Sequence, residues 1–145
     1  MKRVLVIDDD PSVARLVRAA LKAADVEHTL EFCTDGGQGR AKAAQGKYDL
    51  ITLDLAMPLM DGVQALEEMK KDPKSARVPV VVVTAKTDPA LHARVEKLGA
   101  AAVVTKPFRR WELVSLFRLL LAGGQIEPTG GAESEAGDSS RGDSE

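Results

Sequence analysis

Asp8 and Asp9, Asp54, Thr84 and Lys106 each lie at or just past the end of a short apolar run. Three carboxylates brought together repel one another, and at neutral pH such a cluster takes up protons or binds a cation. Oxygen donors without Cys or His select a hard ion. A shallow site with one or two direct carboxylates suits Mg²⁺, which keeps several waters and accepts a phosphate oxygen. Asp9 and Asp54 are the expected direct ligands, with Asp8 holding a coordinated water and the backbone carbonyl of Ala56 filling a further position. An ammonium at Lys106 offsets part of the negative charge, orients Asp54 and grips a phosphoryl oxygen, while Thr84 adds a hydroxyl donor. This set stabilises the equatorial oxygens of a transferring phosphoryl group and leaves Asp54 in line as nucleophile, which gives an aspartyl phosphate.

That chemistry requires the five positions to meet, and the apolar pattern supplies a frame. Runs at residues 4–7, 29–33, 50–53, 80–83 and 101–104 predict five strands. Four are almost continuously apolar, as in strands covered on both faces of a parallel sheet; the run at 29–33 is interrupted by Glu31 and suits an edge. Helical patterns lie between them with clear start signals: Asp10 before Pro11, Asp35, Asp61, and Asp88 before Pro89. The fifth helix is expected to open at Pro107, to bury Leu113, Phe117 and Leu120, and to stop at Gly123-Gly124.

Strand and helix alternate five times, which predicts an α/β fold. Five units are too few to close an eight-stranded barrel, so the expectation is a flavodoxin-like, doubly wound, five-stranded parallel sheet of order 2-1-3-4-5 with five helices. All strand ends of one sense then share a rim, and ligands bind where the strand order reverses, between strands one and three. Asp8, Asp9, Asp54, Thr84 and Lys106 are therefore expected in one crevice.

Charge and composition narrow the partners. The net charge of −2 divides unevenly: residues 1–122 hold 19 basic and 16 acidic side chains, and residues 123–145 hold one basic and six acidic. A domain at 1–122 is expected to carry a disordered acidic Gly/Ser-rich tail at 123–145, where Ile126 is the lone large aliphatic and cannot offset the entropy of ordering. The diffuse positive charge of the body excludes a direct nucleic-acid footprint. No run of 18 apolar residues argues for membrane insertion, and the apolar run after Met1-Lys2-Arg3 is too short for a signal-peptide core. A lone Cys33 forms no internal disulfide, and no Cys/His spacing suits zinc, so a cytoplasmic setting is expected.

The chain resembles the receiver domains of two-component response regulators, the CheY-like family, over residues 2 to about 122. The resemblance rests on VLVIDDDP at residues 4–11, DLITLDLAMPLMDG at 49–62, VVVTA at 81–85 and Lys106-Pro107-Phe108, in that order. It implies phosphorylation of Asp54 by a phosphohistidine on a sensor histidine kinase or phosphotransfer protein, or by a small donor such as acetyl phosphate. It also implies self-catalysed hydrolysis, a cis bond before Pro107, and an unknown downstream protein docking on the face of the fourth helix, fifth strand and fifth helix. Trp111, with Arg109 and Arg110 at its rim, is the candidate anchor there, and a homodimer through the same face is a further expectation.

Three positions depart from the family pattern. Val103 stands where many receivers carry an aromatic that moves with the Thr84 hydroxyl, and a stiff β-branched side chain lacks its reach. Ala56 and Lys86, two residues after Asp54 and Thr84, flank the path of a water attacking the phosphoryl group. Cys33 is expected in the core, His28 and His92 on the solvated surface, and the glycines at 36, 37 and 39 in a flexible helix start. Two competing functions differ in class. A phosphohydrolase usually needs a second Asp where Ala56 stands. A phosphorylation-independent binding scaffold of the same fold draws on Val103 and Trp111.

Overall fold

The computed structural model describes residues 1–57 and 61–122. Five strands and five helices alternate along them: β1 (Lys2–Ile7), α1 (Pro11–Ala23), β2 (His28–Cys33), α2 (Gly36–Ala43), β3 (Leu50–Leu53), α3 (Gly62–Lys71), β4 (Val80–Thr84), α4 (Pro89–Lys97), β5 (Ala102–Thr105) and α5 (Arg110–Leu121). All strand pairs are parallel, in the order β2-β1-β3-β4-β5. The expected tail and the Gly123-Gly124 stop lie outside the described residues.

Alternation along the central strands sends neighbouring side chains to opposite faces. Leu5, Ile7, Ile51, Leu53, Val80 and Val82 pack with Leu66 and Met69 of α3 and Val95 of α4. Val4, Val6, Leu50, Val81 and Val83 pack with Val13, Val17 and Leu21 of α1 and with Leu113, Phe117 and Leu120 of α5. Each fully buried Val or Leu contributes about 1.5–3 kcal/mol, so these two layers hold the sheet.

The caps fall where the acidic residues predict them. Asp10, Asp35, Asp61 and Asp88 each accept a backbone N–H from the first turn of α1, α2, α3 and α4. Each such cap is worth about 1 kcal/mol. The fifth helix differs from expectation: it starts at Arg110, because Arg109 is extended and its N–H is taken by the Glu112 carboxylate at 3.2 Å. The strand β5 is apolar yet only partly buried, since the strand order makes it the second edge.

Glycines 36, 37 and 39 do fall in the first half of α2, and Gly39 has a packing role as well. A Cβ on Gly39 would stand 2.6 Å from Ile7 Cδ1, so the missing side chain lets α2 lie directly on β1. Cys33 is buried as expected.

Candidate functional site

Register brings the rim together. Ile7 pairs with Leu53 and Thr84 with Thr105, so the residues just beyond these pairs sit side by side. Backbone bonds continue the sheet by one step: the Asp54 N–H donates to the Ile7 carbonyl at 3.0 Å, and the Lys106 N–H to the Thr84 carbonyl at 2.8 Å. Asp8, Asp9 and Asp54 each present a carboxylate oxygen within 4.8 Å of the others. Asp8 and Asp54 are 1% and 4% exposed, whereas Asp9 faces solvent.

The Lys106 ammonium bridges the two buried members, 3.0 Å from Asp8 Oδ2 and 3.3 Å from Asp54 Oδ2. The sequence suggested Asp54 as its partner; the shorter contact is to Asp8. The remaining carboxylate oxygens take backbone donors, Asp8 Oδ1 from the Asp10 N–H at 2.9 Å and Asp54 Oδ1 from the Ala56 N–H at 3.1 Å. Ala56 itself is exposed. Burial raises the Asp8 carboxyl above its usual range, against the pull of the Asp10 N–H and Lys106. Burial also works against the Lys106 charge, but Asp8 and Asp54 outweigh it and the ammonium pKa rises.

Three carboxylates facing one ammonium leave an excess of negative charge in a partly buried pocket. An all-oxygen donor set with one exposed member fits a hard divalent cation. A close approach shapes the pocket from below. A Cβ on Gly62 would lie 2.5 Å from Leu55 Cα and 2.8 Å from the Asp54 carbonyl, so glycine lets α3 begin against the backbone that carries Asp54. In the sequence that glycine was marked only as the last residue of the 49–62 motif, with no packing role attached to it.

Thr84 ends β4 fully buried, and its Oγ1 accepts the Lys86 N–H at 3.2 Å. Val103 is half-buried and packs into the layer that also holds Leu91 and Leu98. Trp111 is 64% exposed, and Arg109 and Arg110 beside it are exposed too. Of the two histidines expected on the solvated surface, His92 stays partly exposed, whereas His28 departs from it. His28 is half-buried, its Nδ1 is 2.9 Å from the Val26 carbonyl, and its Nε2 is buried without a partner among the described residues. His92 Nε2 lies 2.7 Å from the Lys86 carbonyl.

A doubly wound sheet with an acidic cluster and a lysine at its carboxyl rim is the architecture of a CheY-like signalling module. Residues 4–118 match the response regulator receiver domain, and the chain belongs to that family of two-component receivers. It is 32% identical over 123 residues to protein PilH of Pseudomonas aeruginosa, covering 85% of this chain and 100% of that one. It is 36% identical over 121 residues to the DNA-binding dual master transcriptional regulator RpaA of Synechocystis, covering 83% of this chain and 49% of that protein. The chain thus spans about half the length of that relative. The Mn²⁺-bound form of the response regulator Rcp1 has a similar structure, with a TM-score of 0.73 and 26% identity over 88% of this chain and 99% of that one. Among the described residues no helix is long and apolar enough to cross a membrane.

Proposed function

We propose that residues 1–122 form a Mg²⁺-dependent phospho-acceptor. In this reading they take a phosphoryl group from a phosphohistidine of a sensor kinase or phosphotransfer protein onto Asp54. The observation that carries this is the Lys106 ammonium held between Asp8 and Asp54 inside a cluster of three carboxylates. Such a cluster is costly to bury without use.

Asp8, Asp9 and Asp54, with the Ala56 carbonyl, would hold Mg²⁺, which supplies positive charge to the carboxylates and phosphoryl oxygens. A carboxylate oxygen of Asp54 attacks phosphorus as the donor's P–N bond breaks, and the electron pair leaves with the imidazole nitrogen. Lys106 keeps its proton and donates a hydrogen bond to the transferred group, while the Thr84 hydroxyl can turn to another of its oxygens. Water later attacks phosphorus, the bond to the Asp54 oxygen breaks, and inorganic phosphate leaves the free Asp54 carboxylate, so the protein's own side chain is the only group modified. A kinase donor of this kind sets the reaction in the cytoplasm.

The output surface is the α4-β5-α5 face, where exposed Trp111 with Arg109 and Arg110 offers an aromatic anchor to a protein target or to a second copy. Incubation with acetyl phosphate and Mg²⁺ should add one phosphoryl group to the wild type and none to Asp54→Asn, read by intact mass. No addition to the wild type, or equal addition to the variant, overturns the assignment. The scaffold alternative draws on Val103, which offers no aromatic to report the Thr84 position. Partner binding unchanged in Asp54→Ala and by phosphorylation would favour it.

A further inference from the structure

The Thr84 hydroxyl is bound into a short relay of hydrogen bonds that leads away from the carboxylates. Its Oγ1 accepts the Lys86 N–H at 3.2 Å, and the Lys86 carbonyl in turn meets His92 Nε2 at 2.7 Å. A carbonyl can only accept, so His92 carries a proton on Nε2 in this contact, and the bond persists whether the ring is neutral or charged. His92 stands in the first turn of α4, whose start is fixed independently. The Asp88 side chain accepts the Ala90 N–H at 3.0 Å, and the Asp88 carbonyl accepts the His92 N–H at 3.1 Å. The imidazole therefore ties the exposed residues 85–88 to a capped helix.

We propose that His92 is a positioning residue for Thr84. By anchoring the Lys86 carbonyl, it restrains the backbone of residue 86, keeps the Lys86 N–H on the Thr84 hydroxyl and sets the cost of turning that hydroxyl toward a phosphoryl group on Asp54. This rests on the phospho-acceptor function proposed above. A free loop would follow the hydroxyl or exchange its N–H partner for water, whereas residue 86, anchored through the carbonyl of its next peptide unit, resists both. The same tether gives Thr84 a polar connection to α4. Val103, packed into the apolar layer with Leu91 and Leu98, offers no such connection.

The test is calorimetric binding of beryllofluoride, a phosphoryl mimic, in the presence of Mg²⁺. His92→Phe fills the space without a donor, and its affinity should rise about three- to tenfold, the worth of one net hydrogen bond. His92→Gln, whose side-chain amide can donate to the same carbonyl, should return toward the wild type. In a Thr84→Val background the difference between His92 and Phe should vanish, which a merely structural role would not produce; the melting temperature of unliganded His92→Phe should itself fall by a few degrees as that hydrogen bond is lost. Equal affinity of His92→Phe and wild type, or a gain that persists with Thr84→Val, overturns the inference. Failure of the wild type itself to bind would remove the phospho-acceptor assignment and this inference together; binding with an inert His92 would remove only the latter.

Discussion

Two polar clusters of this molecule combine carboxylate and lysine, and they differ in balance and burial. At the rim, three carboxylates share one ammonium, two of them are almost fully buried, and the Asp8 carboxyl is pushed up. At the β2 edge, the single Glu31 carboxylate accepts the Tyr48 hydroxyl and pairs with Lys42 at 3.4 Å and Lys47 at 3.9 Å. There the Tyr48 hydrogen bond and the two lysines hold the Glu31 carboxyl below its usual range, while burial and Glu31 raise the Tyr48 phenol. The edge cluster sets two ammoniums against one partly exposed carboxylate, so it holds no excess of negative charge to recruit a cation and serves the fold. The rim cluster keeps a deficit of positive charge out of water, and that deficit is what a cation and a phosphoryl group can use.

The largest expected effect that separates the clusters is metal binding. Mg²⁺ at a hundredfold excess over its Kd should stabilise the wild type by about 2.7 kcal/mol in denaturant titrations, reversed by chelator. The shift should be largely lost in Asp9→Asn and kept in Glu31→Gln; an equal shift in both variants would erase the distinction. Next is Gly62→Ala, which forces a Cβ into the Asp54–Leu55 backbone. It should cost about 1–3 kcal/mol and slow phosphorylation by acetyl phosphate. Loss of stability with an unchanged rate would show that the rim tolerates movement of its floor.

A smaller effect lies two residues before Asp54. The Thr52 hydroxyl is buried with no partner among the described residues, so Thr52→Val, nearly equal in shape, should raise stability by about 1 kcal/mol. A loss would mean that the hydroxyl has a partner in solution. The smallest concerns Glu31. Its folded-state pKa is lowered, so its contribution is present above about pH 4.5 and lost as pH falls through the lower folded value. The wild type should lead Glu31→Gln by roughly 0.5 kcal/mol at neutral pH, since exposed pairs are screened, and the lead should shrink below pH 4.5. A lead that grows on acidification would reverse the assigned balance.

The sequence by itself determined the strand runs, the four Asp caps and the meeting of Asp8, Asp9, Asp54, Thr84 and Lys106 on one rim. Each depends on short-range pattern plus the handedness of parallel crossovers, and both are written locally. Only the tertiary structure decided that Lys106 lies nearer Asp8 than Asp54, a contact across 98 positions of sequence. It also decided that Gly39 and Gly62 serve close approach, that His28 is covered, that His92 reaches the Lys86 carbonyl, and that Glu31 and Tyr48 join at the edge. These depend on distances of a few ångströms between side chains and backbone brought together by packing, which no periodicity in the chain records.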